Sequence, residues 1–125
     1  MFVMLLFLIV SYCFFVSDAP KIIPFSFPPD LTVDTPVVVV SCIVSAGDKE
    51  ISFKWLKNNI RLFSKDSKIK ITNHPMYSTL ELQHLAGEDI GNYTCVASNQ
   101  AASANFTAEM VVNGKCLIKL TKDKA

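Results

Sequence analysis

The residues of this chain that could take part in chemistry are few: four cysteines, two histidines and some carboxylates. His74 and His84 lie far apart in the sequence, whereas a metal or catalytic site needs several partners that converge. Glu88 and Asp89 are neighbours, and neighbouring side chains on a strand point in opposite directions. Glycine-rich phosphate loops and nucleophile elbows are not found. The sequence therefore predicts no catalytic residue, no metal site and no cofactor.

The beginning of the chain bears on how the cysteines are interpreted. Residues 1–16 are almost purely apolar, a run shorter than the roughly 20 residues that a helix needs to cross a membrane. Ser17 and Ala19 are small residues at suitable positions for cleavage after Ala19, so we expect residues 1–19 to be a signal peptide. The alternative is an uncleaved signal-anchor, because no basic residue precedes the run and Pro20 follows the cut. Both interpretations place the remaining chain outside the cytosol.

Outside the cytosol, cysteines normally form disulfides. Cleavage would remove Cys13 and leave Cys42, Cys95 and Cys116, so that one of the three has no partner within the chain. The count alone does not say which two are paired.

The overall charge bears on whether the partner could be a nucleic acid. Twelve basic residues against 11 acidic ones give a formal net charge of +1. A nucleic-acid binder needs a basic surface to neutralise phosphates, so we expect no nucleic-acid partner.

Hydrophobic residues alternate with polar ones from Pro20 onward, as expected for half-buried strands. The alternating sets are Val38/Val40/Cys42/Val44, Ile51/Phe53/Trp55, Ile69/Ile71, Leu80/Leu82, Tyr93/Cys95/Ala97 and Phe106/Ala108/Met110/Val112. The first of these segments also contains Val37 and Val39, which makes it apolar on both faces. Turn-rich pieces separate the segments, including 46–48, 57–59 and 99–102. At least six short strands in a chain of this length predict an all-β sandwich or barrel.

The first strand has a different character. Ile22, Ile23, Phe25 and Phe27 predict an edge strand that is interrupted by Pro24, since proline has no N–H for a strand ladder. We interpret this strand as a candidate interface, through backbone pairing or through its side chains.

Two groups of residues resemble a known family. Cys42, Trp55 and Cys95 are one group, and Leu80-x-Leu-x-x-Leu followed by Asp89-x-Gly-x-Tyr-x-Cys is the other. Together they resemble the I-set of the immunoglobulin superfamily, and the resemblance covers residues 20–113. It implies a two-sheet Greek-key sandwich with one inter-sheet disulfide.

The family carries specific roles over to matching residues. The resemblance implies that Cys42 and Cys95 form the disulfide, with Trp55 packed against it, and that Tyr93 bonds back to the upstream backbone. Leu82 and Asp89 are further core markers, and Gly91 can supply the backbone angle of a tight turn. Two departures stand out: Ala102 replaces a usual glycine, and the usual arginine partner of Asp89 is missing, so that Lys68 or Lys70 must substitute.

A closer resemblance is to the variable immunoglobulin domains of arthropod Down syndrome cell adhesion molecules (Dscam). Three segments carry it: Ala19-Pro-Lys-Ile-Ile-Pro-Phe, Phe53-Lys-Trp-Leu-Lys-Asn and Gly91-Asn-Tyr-Thr-Cys-Val-Ala-Ser-Asn. The resemblance implies homophilic cell adhesion, neurite self-avoidance and axon guidance. The partner would be another copy of the same domain type, at a plasma membrane, axon or synapse.

Other functions remain open at this point. The runner-up is a soluble, secreted immune-recognition protein. An intracellular I-set module of the muscle type would fit the fold, but the apolar leader and two glycosylation sequons argue against it. An enzyme is the least favoured class, and contact with a membrane would occur only through parts that this chain lacks.

The remaining expectations concern modification and the end of the chain. Asn92-Tyr-Thr and Asn105-Phe-Thr are N-glycosylation sequons, and glycosylation is sterically possible at both because each asparagine is expected to point outward. We expect one occupied site, with Asn105 favoured. Residues 114–125 carry four lysines and Cys116. We expect a basic unstructured tail, which could also be the end of an imperfect gene model.

Overall fold

The computed structural model describes residues 18–113. Most of the predicted signal peptide, the whole of the predicted tail, and Cys13 and Cys116 lie outside the described residues, so these boundaries remain predictions. Within residues 18–113, no helix has the length and apolar character that crossing a bilayer requires.

The described chain is built from eight strands and one short 3₁₀ turn at Gly87–Asp89. In chain order the strands are β1 (Lys21–Ile22), β2 (Val37–Ala46), β3 (Ser52–Lys57), β4 (Ile60–Arg61), β5 (Ile69–Asn73), β6 (Tyr77–Gln83), β7 (Gly91–Ser98) and β8 (Ser103–Met110). They form two four-stranded antiparallel sheets. The first sheet has the order β1-β2-β6-β5 and the second has the order β4-β3-β7-β8. The predicted all-β Greek-key sandwich is confirmed.

Strand parity determines which side chains form the core. In β2, Val38, Val40, Cys42 and Val44 are buried while Val37, Val39 and Ile43 are exposed. The same alternation holds in β6 and β7, where Leu80, Leu82, Tyr93, Cys95 and Ala97 point inward. The inward faces of the two sheets therefore meet in one hydrophobic cluster, and burial of this apolar area is the main term that stabilises the sandwich.

Local turn chemistry also agrees with the fold. Asn58 and Asn59 connect β3 to β4 and both have positive φ, 49° and 69°, as a type I′ hairpin turn requires. Asparagine adopts this region more readily than most residues.

Ala102 stands where the family usually has glycine, and an alanine there would be strained if the turn required positive φ. The residue does not have positive φ. Its turn is closed by the Asn99 N–H, which donates to the Ala102 carbonyl at 3.0 Å, and by the Asn99 side-chain oxygen, which accepts from the N–H groups of Ala101 and Ala102. The asparagine side chain substitutes for the conformational freedom of glycine at this turn.

Candidate recognition surface

A disulfide and an indole join the two sheets at the centre of the core. Cys42 of β2 and Cys95 of β7 are bonded, with an S–S distance of 2.05 Å, which confirms the predicted pair. Trp55 of β3 is fully buried, and its Nε1–H donates to the Ser78 hydroxyl on β6 at 2.9 Å. Ser78 in turn donates to the Asn73 side-chain oxygen at 2.6 Å. The indole is therefore fixed in both position and orientation across the sheets.

Tyr93 lies at the end of the sandwich where the chain enters β7. Its ring is buried and its hydroxyl donates to the Asp89 backbone carbonyl at 2.6 Å. This is the back-bond to the upstream backbone that the family resemblance implied. It ties the 3₁₀ turn to the strand that follows.

Lys68 replaces the missing arginine as the partner of the buried Asp89. Its ammonium group donates to Asp89 Oδ2 at 2.5 Å and to the carbonyls of Gln83 and His84, both at 2.9 Å. The same carboxylate oxygen accepts the Ala86 N–H at 2.8 Å. One lysine therefore uses three donors to hold the start of the turn, so that a planar guanidinium is not needed here.

The environment of Tyr93 leads to a pH prediction. Burial raises the pKa of its hydroxyl well above the usual value of about 10, and the Asp89 carboxylate raises it further. The folded state then keeps a proton that the unfolded state loses, so its contribution to stability is complete below about pH 10 and is lost at higher pH. We expect the free energy of unfolding to fall above pH 10 by at most about 1.4 kcal/mol per pH unit from this group.

The variant Tyr93→Phe isolates this contribution. It loses the hydrogen bond to Asp89 at neutral pH, which costs about 1 kcal/mol. Above pH 10 the difference from the wild type should shrink, because the variant has no hydroxyl to ionise at position 93. Urea unfolding at pH 7, 10 and 11 measures the difference, and a constant gap across this range would contradict the assignment.

Gly91 is required by a close approach. The residue is half-buried and its backbone is nearly extended, with a φ of 159°. A Cβ at this position would lie 2.9 Å from Oδ1 of Asn58, the same atom that accepts the Asn92 N–H at 2.9 Å. Glycine therefore allows the Asn58–Asn59 hairpin to pack against the start of β7.

Fewer of the predicted interface residues along the first strand are exposed than the sequence suggested. The ladder of β1 holds only Lys21 and Ile22, and Ile22 is half-buried against the core. Phe25 packs on Trp55 and Phe106, with ring centroids 5.5 and 5.0 Å away. Phe27 is buried against Tyr93, at 5.4 Å.

These contacts remove one of the four interface candidates. Phe27 is buried between the sheets, so its side chain is not free to contact a partner, whereas Ile22 and Phe25 are partly buried against the core. Ile23 is the exposed member of the predicted set, at 45%. Its N–H donates to the Ile43 carbonyl, which extends the edge of the first sheet by one bond.

The outer face of the first sheet carries an exposed apolar surface. Its members are Val37, Val39 and Ile43 on β2, Ile23 just after β1, and Tyr77 at the start of β6. We call this set the apolar face. Ile43 lies directly opposite Tyr77 in the β2–β6 register, and Ile23 bonds to Ile43 from the other side. His74 stacks on Tyr77, with ring centroids 4.2 Å apart.

Val37 and Val39 are the sequence signal for the apolar face, because they make β2 apolar on both sides. This signal is ambiguous from sequence alone, since a strand that is apolar on both sides is also typical of one that is buried on both sides. In the structure no described element covers this side of β2.

The outer face of the second sheet is polar. It presents Lys54 of β3, Asn92 of β7, and Asn105, Thr107 and Glu109 of β8, all exposed. Both predicted sequons therefore lie on this face. The two sheets differ in what they offer to a partner.

The placement of the His, Cys, Asp and Glu side chains bears on whether the described residues could form a metal site. Within residues 18–113, no three His, Cys, Asp or Glu side chains are placed so as to hold a metal ion. A depression of about 430 Å³ is lined by Lys49, Glu50, Ile51, Pro75 and Met76, a set without serine, cysteine or histidine. His84 lies in the turn after β6 with a φ of 52°.

Comparisons with known proteins agree with this geometry. Residues 30–112 match the family described as the immunoglobulin I-set domain. The cell adhesion molecule DSCAML1 of Homo sapiens is 33% identical over 97 residues, which cover 78% of this chain and 5% of that protein. The chain therefore spans about one twentieth of the length of the curated relatives that it matches.

Solved structures give the same result. The crystal structure of the Dscam1 Ig7 domain, isoform 5, superposes with a TM-score of 0.71 at 32% identity, covering 78% of this chain and 99% of that one. An I-band fragment from titin gives a TM-score of 0.68 at 26% identity and covers 76% of this chain and 32% of the fragment.

Proposed function

The chain belongs to the immunoglobulin I-set family, and from that premise we propose that it is an extracellular recognition module that mediates homophilic cell adhesion. The relatives that support this are cell adhesion molecules. I-set domains act as binding modules rather than as enzymes, and the partner is a protein. Neurite self-avoidance and axon guidance are the cellular roles we propose for such a contact on neurons.

The observation that carries the proposal is the apolar face. Val39 is 53% exposed, and Val37 beside it on the outer face of β2 is exposed as well. Ile43, Tyr77 and Ile23 form a second exposed apolar group further along the same face, beyond Ser41 and Thr79. Exposed apolar groups of this kind on a folded domain support a site of interaction. Tyr77 adds an aromatic ring of the type that often anchors protein interfaces.

The shape of the apolar face suits contact with a second copy. It is organised along one strand, so that two copies related by a two-fold axis can place the same residues against each other. Lys70 on β5 and Glu81 on β6 are cross-strand partners beside the apolar residues. Glu81 also lies directly opposite Val39, so charges of both signs are placed among and beside the apolar residues, which is compatible with a self-complementary contact.

A bead-aggregation assay tests the proposal. The full chain is secreted from eukaryotic cells, coupled to beads and scored for clumping, while sedimentation measures the state of the free protein. Clumping supports homophilic adhesion. A strictly monomeric protein whose beads never clump would exclude self-recognition by this chain and would favour a soluble or heterophilic binder.

The variant Val39→Glu locates the contact. A two-fold interface would bury two new glutamates near each other, each also opposite the native Glu81, and burial of unpaired like charges is costly. We expect self-association to weaken by at least about tenfold, or about 1.4 kcal/mol. Because Val39 is exposed in the monomer, the substitution should change the free energy of unfolding of the domain by less than about 1 kcal/mol.

Ile60→Glu is the matched control. Ile60 is 73% exposed on β4 of the other sheet, so that the same change of an apolar residue to glutamate is made outside the apolar face. Clumping should persist in this variant. Loss of clumping in Ile60→Glu with retention in Val39→Glu would assign the contact to the second sheet instead.

A further inference from the structure

The two sequons lie on one face of the sandwich. Asn92 is on β7 and Asn105 is on β8, both are exposed, and their following neighbours Tyr93 and Phe106 point inward. We propose that both asparagines carry N-linked oligosaccharides and that these cover the outer face of the second sheet, leaving the apolar face uncovered. This inference rests on the extracellular location in the proposed function.

The spacing allows both sites to be occupied. Asn105 lies opposite Val96 in the β7–β8 register, and Val96 is four residues along β7 from Asn92. At about 3.4 Å per residue the two attachment points are about 14 Å apart along the strands. Within residues 18–113 neither side-chain amide is engaged in a hydrogen bond with the protein. Both are therefore free to carry a sugar in the folded domain.

The chemistry requires a donor from the secretory pathway. The amide nitrogen of each asparagine forms a bond to C1 of an oligosaccharide supplied by a lipid-linked pyrophosphate donor. The bond between C1 and the pyrophosphate oxygen breaks, the lipid pyrophosphate leaves, and the amide nitrogen gives up one proton. The asparagine remains an amide, so that no charge is added to the sheet.

The hydroxyl groups of the two sequons contact each other. Thr94 Oγ1 and Thr107 Oγ1, each the third residue of one sequon, are 2.7 Å apart, and Thr94 is buried. Thr107 is exposed, so the constraint falls on Thr94: a transferase that binds the Thr94 hydroxyl must act on Asn92 before β7 pairs with β8. For the same reason a threonine variant would remove a structural hydrogen bond together with the sequon, and substitutions of the asparagines are the cleaner test.

The reach of the glycans can be measured with two native lysines. Lys54, Val96 and Asn105 lie side by side across β3, β7 and β8, so that Lys54 is two strands from a proposed glycan. Lys70 is equally an exposed strand lysine, but it lies on the first sheet. A bulky amine-reactive reagent should therefore distinguish the two faces, with Lys70 as the internal control.

The first experiment compares the intact masses of the full chain and of Asn92→Gln, Asn105→Gln and the double variant, all secreted from eukaryotic cells. We expect each single variant to lose one oligosaccharide mass and the double variant to lose both. Thr94→Ser, which keeps a hydroxyl and the sequon, should retain both glycans. A wild-type protein that carries no glycan, or only one, would contradict the proposal that both asparagines are glycosylated.

The second experiment measures labelling of Lys54 and Lys70 by peptide mass spectrometry in the wild type and in the double variant. Removal of both glycans should raise labelling of Lys54 several-fold and leave Lys70 unchanged. Equal labelling of Lys54 in the two proteins would overturn the covered face. These readouts are independent of bead clumping, so that a glycosylated chain that does not clump contradicts the adhesion function alone.

Discussion

Replacement of both Cys42 and Cys95 by alanine is expected to lower the free energy of unfolding by about 4 kcal/mol. The bond joins residues 53 apart in sequence, and closing a loop of that length in the unfolded chain accounts for a loss of this size. Domains are stable by only about 5–15 kcal/mol in total. The melting temperature should fall by about 15–30 °C, since about 1 kcal/mol corresponds to 4–8 °C in a domain of this size.

Urea unfolding followed by circular dichroism measures this loss, with two controls. Cys116→Ser should leave stability unchanged, because Cys42 and Cys95 are already bonded to each other. A reductant should bring the wild type down to the level of the double variant and have no further effect on that variant. Equal stability of the wild type and the double variant would show that the disulfide does not limit the unfolded ensemble.

Replacement of Trp55 by alanine is expected to cost about 3–5 kcal/mol. The indole is fully buried between the sheets, so its removal leaves a cavity in addition to the lost transfer free energy. The contact with the Phe25 ring, at 5.5 Å, is lost as well. The Ser78 hydroxyl loses its donor, although it keeps its own bond to Asn73.

A set of smaller changes separates these terms. Trp55→Phe keeps a ring against Phe25 but removes the N–H, and Ser78→Ala removes the acceptor but keeps the indole. Each should cost about 1–3 kcal/mol through a buried group left unpaired. The double variant should show a coupling of about 1 kcal/mol between the two sites. Because Trp55 is the single tryptophan, circular dichroism rather than fluorescence must follow unfolding.

A loss below about 1 kcal/mol in Trp55→Ala would contradict the role of the indole as the centre of the core. The functional expectation is also clear. Trp55 lies inside the sandwich and does not reach the apolar face. At temperatures where the variant stays folded, bead clumping should therefore be unchanged, in contrast to Val39→Glu.

Strand parity made much of the fold predictable from sequence. Val38, Val40, Cys42 and Val44 repeat with the period of a strand, and the structure buries all four. The motif around Tyr93 and Cys95 predicted both the disulfide and the back-bond of the tyrosine hydroxyl. The strand period is local geometry, which residue order specifies directly, whereas the disulfide and the back-bond were implied by the family resemblance.

The N-terminal segment shows where parity fails. Proline at position 24 interrupts the ladder, and after it Phe25 and Phe27 turn into the core instead of remaining on an exposed edge. The alternation from Ile23 to Phe27 does not tell which side faces the other sheet, because an interrupted strand no longer shares one plane with its partner. The burial of Phe27, which the sequence placed in the candidate interface, follows from this interruption.

Two further contacts join residues that sequence order keeps apart. Lys68 and Lys70 were equal candidates for the Asp89 carboxylate, and the register of β5 on β6 brings Lys68 to it. The approach of Asn58 to Gly91 depends on the pairing of β3 with β7. Neither distance can be derived from spacing along the chain.

The residue sequence by itself determined the strand pattern and the sandwich class, because these follow from a period of two, and its resemblance to the I-set implied which residues join the sheets. The tertiary structure alone decided the surfaces. Val37, Val39 and Ile43 are apolar in any arrangement, but they are exposed because no described element packs over that side of β2. Exposure is a property of what lies next to a strand, and packing between distant segments determines it.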